Sequence, residues 1–279
     1  MIKSKTQDAG GAGRRATVFG AAGFVGSALA AALAEQGWQV NALTGRERPS
    51  GALGHVFFCA GTTSDFRTRR FDTIEAHVTL VANLLKTAEF DSFVYLSTTR
   101  IYRGAESGRE ETSLHVNPNE PHDLYNLSKL TGESICLTDP RPMVRIARLS
   151  NVYGAADRSE NFLTSVLRDA IDVGRVHIGI APEHAKDYVA LEDVVTALAR
   201  FPDRATSRLI NLASGVSVTN RRIATRVAEL TGADFSFGDD RGLDFPVLEV
   251  PRLRDELGVV PRQLDDALPE LVAALTPLD

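Results

Sequence analysis

The stretch "GAAGFVG", with glycines at 20, 23 and 26, constrains the fold more than any other part of the chain. It follows the apolar run "ATVF" and opens "GSALAAALAEQG", whose apolar residues fall at helical spacing. A glycine-rich turn between a strand and a helix lets backbone N–H groups approach a pyrophosphate, and the helix N-terminus adds a partial positive charge. In this reading Gly20 makes the turn, Gly23 gives the close approach and Gly26 lets helix and strand pack, with Phe24 and Val25 in the first helical turn. A purely structural turn is the competing reading, and the strand before and helix after favour the nucleotide. The same glycines dilute "RRATVFGAAGFVGSALAAALA", which otherwise has the outline of an export signal.

Beyond this turn, β-branched and apolar runs alternate with amphipathic stretches. "QVNAL", "HVFFCA", "FVYLST" and "MVRIARLS" read as strands, and "IEAHVTLVANLLKTAEF" and "LYNLSKLTGESICL" as helices. That alternation predicts a parallel sheet with helices on both faces, a Rossmann-type doubly wound α/β fold. The expected organisation is a flexible tail over 1–15, a dinucleotide-binding domain over 16–158, and a smaller mixed α/β substrate lobe over 159–279 that returns to the sheet near 187–213. With 279 residues, 43% hydrophobic and 24% charged, the chain can bury a sizeable core. A net charge of -5 gives no basic field for a phosphate backbone, so nucleic acid is not an expected partner, and no membrane association is expected. Cys59 and Cys136, in apolar runs and without CxxC or His clustering, read as core fillers; they point to a reducing, cytoplasmic setting and to no metal site.

A dinucleotide fold normally ends its second strand on an acid that holds the ribose hydroxyls. Here "QVNAL" runs into Thr44, Gly45 and Arg46, and an arginine can meet a 2'-phosphate, which favours NADP over NAD. A solvated loop charge is the alternative for Arg46.

In "DLYNLSKL", Tyr125 and Lys129 stand four apart and share a helix face. A nearby ammonium favours the tyrosinate and would suit the phenol to acid/base work. Alone, the pair is an ordinary surface neighbourhood. Ser97, Thr98 and Thr99 end the strand "FVYLST" and place hydroxyls at the carboxyl edge of the sheet, where ligands of open α/β folds bind.

With "YLSTTRIYRG", "YNLSK" and "RLSNVYG" following "GAAGFVG" and "HVFFCAG" in this order, the chain resembles the extended short-chain dehydrogenase/reductases, specifically the NAD-dependent epimerase/dehydratase group acting on nucleotide sugars. The resemblance spans nearly the whole chain from Ala16. It implies Tyr125 as acid/base, Lys129 as the group that lowers its pKa and holds the nicotinamide ribose, and Thr98, four before Tyr102, as the partner of a substrate oxygen. It also places Ala60, Gly61 and Val152 along the cofactor, and Asn151 and Tyr153 on the nicotinamide and substrate side. Thr99, Asn161, Lys186 and Arg241 are the further candidates for substrate contact; Asn161 is equally an N-cap, and Lys186 and Arg241 equally surface charges.

Two departures narrow the expectation. Sugar dehydratases resembling this pattern follow the threonine with Asp-Glu, the acid and base of elimination, where this chain has Thr99 and Arg100. Elimination is therefore disfavoured, leaving reduction of a keto-sugar at C4, or C4 epimerisation with retained NAD. The second departure is that only eleven residues, "TGRERPSGALG", separate "QVNAL" from His55. That is too short for a helix and third strand, so an edge strand should be missing and the adenine end more open. This opening keeps alive a different class of function, a family member that binds a dinucleotide or scaffolds a partner without turnover. A homodimer through "IEAHVTLVANLL" and "LSKLTGESICL" is compatible with the sequence, as is their packing on the sheet alone.

Overall fold

The computed structural model describes residues 13–45, 49, 51–62, 66–157 and 161–276. The first half of the chain runs β1 (Arg15–Phe19), α1 (Phe24–Glu35), β2 (Gln39–Leu43), β3 (His55–Phe58), α2 (Arg70–Ile74), α3 (Leu80–Thr87), β4 (Ser92–Thr98), α4 (Leu124–Thr138), β5 (Val144–Leu149) and β6 (Asn151–Tyr153). The second half runs α5 (Phe162–Asp172), β7 (Arg175–Ile180), β8 (Ala185–Ala190), α6 (Leu191–Arg204), β9 (Leu209–Leu212), β10 (Ser217–Thr219), α7 (Asn220–Thr231), β11 (Asp234–Asp240), α8 (Pro251–Asp255) and α9 (Leu264–Leu275).

Six strands form one parallel sheet in the order β2-β1-β3-β4-β5-β9. Its central strands are apolar on both faces, as in "SFVYLST", because helices cover both. On one face Leu29 and Leu33 of α1 and Val194, Leu198 and Phe201 of α6 share a core with Val18, Phe57 and Val94. On the other, Leu80, Val81, Leu84 and Leu85 of α3 and Cys136 of α4 close over Phe58, Phe93 and Tyr95. Both candidate dimer helices thus pack on the sheet. β1 lies between β2 and β3, so the chain reverses direction across the sheet there, and the carboxyl ends of β1 and β3 frame the crevice that ligands of such sheets use.

The expected loss of a strand is visible. β2 is the sheet edge, and among the described residues no strand flanks its outer side. Among its described residues, the connection back to β3 carries one isolated bridge, Ala52 to Glu89. The order of β1 begins earlier than "ATVF": Arg15 already pairs with Gln39, and Arg14 is tied down by Asp203 at 2.6 Å and by the Trp38 ring at 4.0 Å. Residues 1–12 of the expected tail lie outside the described residues.

A second core is built from α5, α7 and α9 against β7 and β8. The remaining strands form a three-stranded sheet β10-β8-β6 and a parallel pair β11-β7. β11 carries little strand signal in the sequence, since "DFSFGDD" is largely polar, with four residues exposed and three half-exposed. The chain rejoins the main sheet at β9, beside β5.

Candidate active site

The site is assembled where β4 ends. Thr98 closes the strand and its hydroxyl accepts from the Arg100 N–H at 3.2 Å, which starts a 3-10 turn over Thr99–Tyr102. Buried Asp123 precedes α4, accepting from the Asn117 N–H at 2.9 Å and from Asn126 Nδ2 at 3.0 Å and pairing with Arg103 at 3.6 Å. These contacts set the start of the helix. Tyr125 then falls in its first turn and Lys129 one turn on, on the same face.

Lys129 is buried and donates to the Leu96 carbonyl at 2.9 Å, with its ammonium 5.1 Å from the Tyr95 ring centroid. Burial pulls its pKa down to about 8, against the opposing pull of Glu133 and Cys59. Burial pushes the Tyr125 phenol above its ordinary value, and the Thr98 side-chain hydrogen bond and the Arg100 charge oppose that rise. The guanidinium of Arg100 lies 5.9 Å from the Tyr125 ring centroid. The resemblance assigns pKa lowering to Lys129; here its ammonium donates to a carbonyl, and a second cation, Arg100, lies against the phenol ring.

A residue that the sequence reading passed over is His77. The helical stretch before β4 is continuous but widens to a π turn over Glu75–Thr79, and the wide turn carries His77 into the interior. Its ring stands edge-on to Tyr125, centroids 5.4 Å apart at 84°. Nε2 accepts from the Thr62 N–H at 3.2 Å, so the proton sits on Nδ1, which donates to Ser128 Oγ at 2.8 Å. Ser128 in turn donates to the Tyr125 carbonyl at 2.7 Å. One imidazole therefore ties the loop after β3 to the first turn of α4. Burial, then the Lys129 charge, take its pKa down to about 2, so it stays neutral. A histidine inside an apolar helical run offered no spacing signal, and the π turn that buries it has no mark in the sequence.

The cofactor cradle is built from close approaches. Gly20 is left-handed (φ 75°) and a Cβ there would stand 2.7 Å from the Ala60 backbone; at Gly26 it would stand 2.3 Å from the Gly20 carbonyl. α1 begins at Phe24 with no side-chain cap and no acid in its first turn, so the early N–H groups, including those of Phe24 and Val25, have only a ligand or solvent to satisfy them. At Gly61 a Cβ would meet His77 Nε2 at 2.8 Å and Lys129 Nζ at 3.4 Å. Val152 packs near the same core as Phe24 and Val25, and the Phe24 ring approaches Gly154. Thr44 is exposed beyond the edge strand, and Arg46 lies outside the described residues. This donor set, bare backbone N–H groups at a helix start, fits a dinucleotide.

Of the substrate candidates, Thr99 is buried in the 3-10 turn beside Thr98, and Asn151 is exposed but donates to the Asp187 carbonyl at 2.7 Å. Asn161 caps α5, accepting from the Thr164 N–H at 3.0 Å while its amide donates to Asp157. Both amides thus carry structural bonds. Asp187 accepts from Ser214, Gly215 and Val216, and Asp193 from the Arg262 N–H, the structural roles that loop and cap aspartates take. Lys186 sits on β8 under the Phe162 ring at 5.8 Å. Arg241 is exposed, next to Gly242, which packs on His184. Behind the site, buried Arg148 pairs with Glu133 at 2.7 Å and donates to the Tyr102 hydroxyl at 2.7 Å, which donates to Asn211 at 2.9 Å. Cys59 and Cys136 are free thiols pushed up to about 12 by burial, which makes them fillers and not nucleophiles.

Sheet order, switch point and glycine cradle together define a Rossmann-type α/β protein built for a dinucleotide. The model of the NAD dependent epimerase/dehydratase family matches residues 16–71 and 51–213, so the chain belongs to that family, a group of extended short-chain dehydrogenase/reductases, and its cofactor is a nicotinamide dinucleotide. No curated protein matches the sequence. Among solved structures it is similar to TunA, described as an NAD dependent NDP-hexosamine 5,6-dehydratase of tunicamycin biosynthesis, at 18% identity over 95% of this chain and 98% of that one, TM-score 0.79. It is also similar to MoeE5 in complex with UDP-glucuronic acid and NAD, at 23% identity over 93% and 97% of the chains, TM-score 0.74. A third is RMD from Pseudomonas aeruginosa complexed with NADPH, at 22% identity over 95% and 100%, TM-score 0.76. Among the described residues no helix is long and apolar enough to cross a membrane.

Proposed function

We propose that this chain is an NAD(P)-dependent oxidoreductase of nucleoside-diphosphate sugars that reduces a keto-sugar at C4, with Tyr125 as proton donor. The observation that carries it is the placing of Tyr125 and Lys129 on one face of α4, with the Lys129 ammonium bound to the Leu96 carbonyl of β4 and 3.4 Å from where a Cβ on Gly61 would stand. When bound, the nicotinamide supplies the hydride. Gly20, Gly23, Phe24, Val25 and Gly26 would hold the pyrophosphate, Ala60, Gly61 and Val152 would border the cofactor and Thr44 its adenosine end, with Arg46 the sequence's candidate for a 2'-phosphate. Lys129 holds the ribose. Thr98 orients the ketone oxygen and the Tyr125 hydroxyl protonates it as the alkoxide forms.

Reduction suits this site better than epimerisation on one count. An adenine end left open by the missing strand suits a cofactor that exchanges at each turnover. The nucleotide-sugar class is supported by the kinship with enzymes whose structures hold such ligands, MoeE5 among them.

The test is a screen of 4-keto nucleotide sugars followed by NADPH absorbance, with titration of NADPH and NADH alongside. Tyr125→Phe is expected to bind cofactor and lose about 10²- to 10⁴-fold in turnover. Full activity in that variant would refute the assignment. Failure to bind either cofactor would refute the enzyme reading as a whole.

A further inference from the structure

His77 is a buried titratable residue that the proposed chemistry leaves unused, and each contact of its imidazole leads to a neighbour of the site. Nε2 accepts from the N–H of Thr62, the residue after Gly61. Nδ1 donates to Ser128, the residue before Lys129, and the Ser128 hydroxyl carries the link on to the Tyr125 carbonyl at 2.7 Å. The ring itself stands edge-on to the Tyr125 ring. A Cβ on Gly61 would meet both His77 Nε2 and Lys129 Nζ, so imidazole, ammonium and the loop after β3 converge on one point.

The wide turn that carries His77 is held by a strand and a helix. The Tyr95 hydroxyl of β4 donates to the His77 carbonyl at 3.1 Å, and on α4 a Cβ added to Gly132 would stand 2.6 Å from the same carbonyl. Turn, strand and helix are thus packed without slack. Buried Phe66, from the same stretch between β3 and α3, packs its ring on Tyr125 with centroids 5.4 Å apart at 47°. That stretch therefore supplies two rings to the phenol and a hydrogen-bonded chain to the helix turn beneath it.

An imidazole with both nitrogens committed has no free proton to give and no free lone pair to take one, so it does not move protons in the reaction. A buried histidine with two partners can be a satisfied core residue and nothing more. What sets this one apart is where its bonds go: one partner adjoins the cofactor side, and the other reaches the backbone of the proton donor. π turns are frequent at functional sites, and this one brings the imidazole to both.

We propose that His77 is a positioning residue: through Ser128 it fixes the first turn of α4, and with it the Tyr125 hydroxyl, relative to the loop that borders the cofactor. This rests on the reading of Tyr125 as the proton donor of a keto-sugar reductase. Hydride and proton go to the two atoms of one carbonyl, so phenol and cofactor must keep their spacing, and a slip of about 1 Å costs about 100-fold in rate.

Three variants of the full chain test it. Ser128→Ala cuts the link to Tyr125 and leaves Thr62 bound to the imidazole; His77→Leu cuts both; His77→Gln can still accept from Thr62 and donate to Ser128. In reduction of a 4-keto nucleotide sugar, turnover is counted per NADPH-binding site so that unfolded protein does not contribute. Ser128→Ala should then lower kcat about 10- to 100-fold with the Kd for NADPH unchanged. His77→Leu should lose turnover and NADPH affinity together, and His77→Gln should restore most of both. A second readout needs no substrate: in protein labelled with carbon-13 at the tyrosine ζ carbon, the resonance missing from Tyr125→Phe belongs to Tyr125. Ser128→Ala keeps both flanking rings, so a shift or broadening of that resonance reports movement of the phenol. Unaltered turnover per site in Ser128→Ala, a Gln variant no better than Leu, or an unmoved resonance overturns the proposal. If the cofactor binds and no keto-sugar is reduced, the reductase reading falls, and the resonance alone decides whether His77 positions Tyr125.

Discussion

Acidification should unpick the active site through His77. This imidazole is fully buried, with Nε2 accepting from Thr62 and Nδ1 donating to Ser128, and a second proton would have to go on a nitrogen already engaged as an acceptor. Burial, and after it the Lys129 charge, lower its pKa from 6.5 to about 2. A folded-state pKa below the unfolded one means that the unfolded chain binds the extra proton between those values, so stability is complete above 6.5 and is lost as pH falls. The slope rises to about 1.4 kcal/mol per pH unit for one proton, from half that at pH 6.5, so the two units from 6.5 to 4.5 cost about 2.3 kcal/mol. Against a typical total of roughly 5–15 kcal/mol, that is a large share. Urea unfolding at pH 7.5, 6.5, 5.5 and 4.5 on the unaltered chain and on His77→Gln measures it. Gln does not titrate and can still accept from Thr62, so the variant should lose about 2–3 kcal/mol less between pH 6.5 and 4.5. Other titrating groups are common to both chains and drop out of the difference. Parallel pH profiles for the two proteins would refute the reasoning, because they would mean that His77 is protonated equally easily folded and unfolded.

Two further expectations concern the framework. Arg148→Met leaves Glu133 buried without its partner and should cost about 3–5 kcal/mol by denaturant unfolding, with much of the loss recovered on adding Glu133→Met; no recovery would show that the pair is not the source of the cost. Gly26→Ala puts a Cβ 2.3 Å from the Gly20 carbonyl, so helix and turn must separate: a loss of about 1–3 kcal/mol and weaker NAD(P) binding in a fluorescence titration are expected, and unchanged binding would mean that the turn does not cradle the pyrophosphate.

What was legible in the sequence was whatever repeats with a period or depends on a local turn. The glycine turn, the apolar runs that became β1, β2, β3, β4 and β5, and the pairing of Tyr125 with Lys129 on one helix face all follow from spacing alone. The shortening after β2 could be counted. What escaped depends on contacts between distant segments. Residues 177 and 236 meet in a parallel pair whose strands, alternately exposed, carry little apolar signal in β11. That Arg100 also lies against the phenol ring, and that Lys129 donates to the Leu96 carbonyl 33 positions away, depend on the fold and not on spacing. His77 matters because a π turn rotates it inward to meet Thr62 and Ser128, and helical periodicity would have placed it one step differently.

The shortened connection also changes how the protein meets other copies of itself. Losing a crossover turns what would be an interior strand into one with an unsatisfied row of backbone donors and acceptors, a template on which another chain could add. β2 is composed for that exposure. It is only five residues long, and Gln39, Asn41 and Ala42 face solvent while Leu43 alone is buried, whereas its inner counterpart β3 buries Val56, Phe57 and Phe58. The strand thus has the shortness, with Gln39 and Asn41 on its exposed side, by which natural sheets guard against edge-to-edge aggregation, so the residues around the gap are matched to the missing unit.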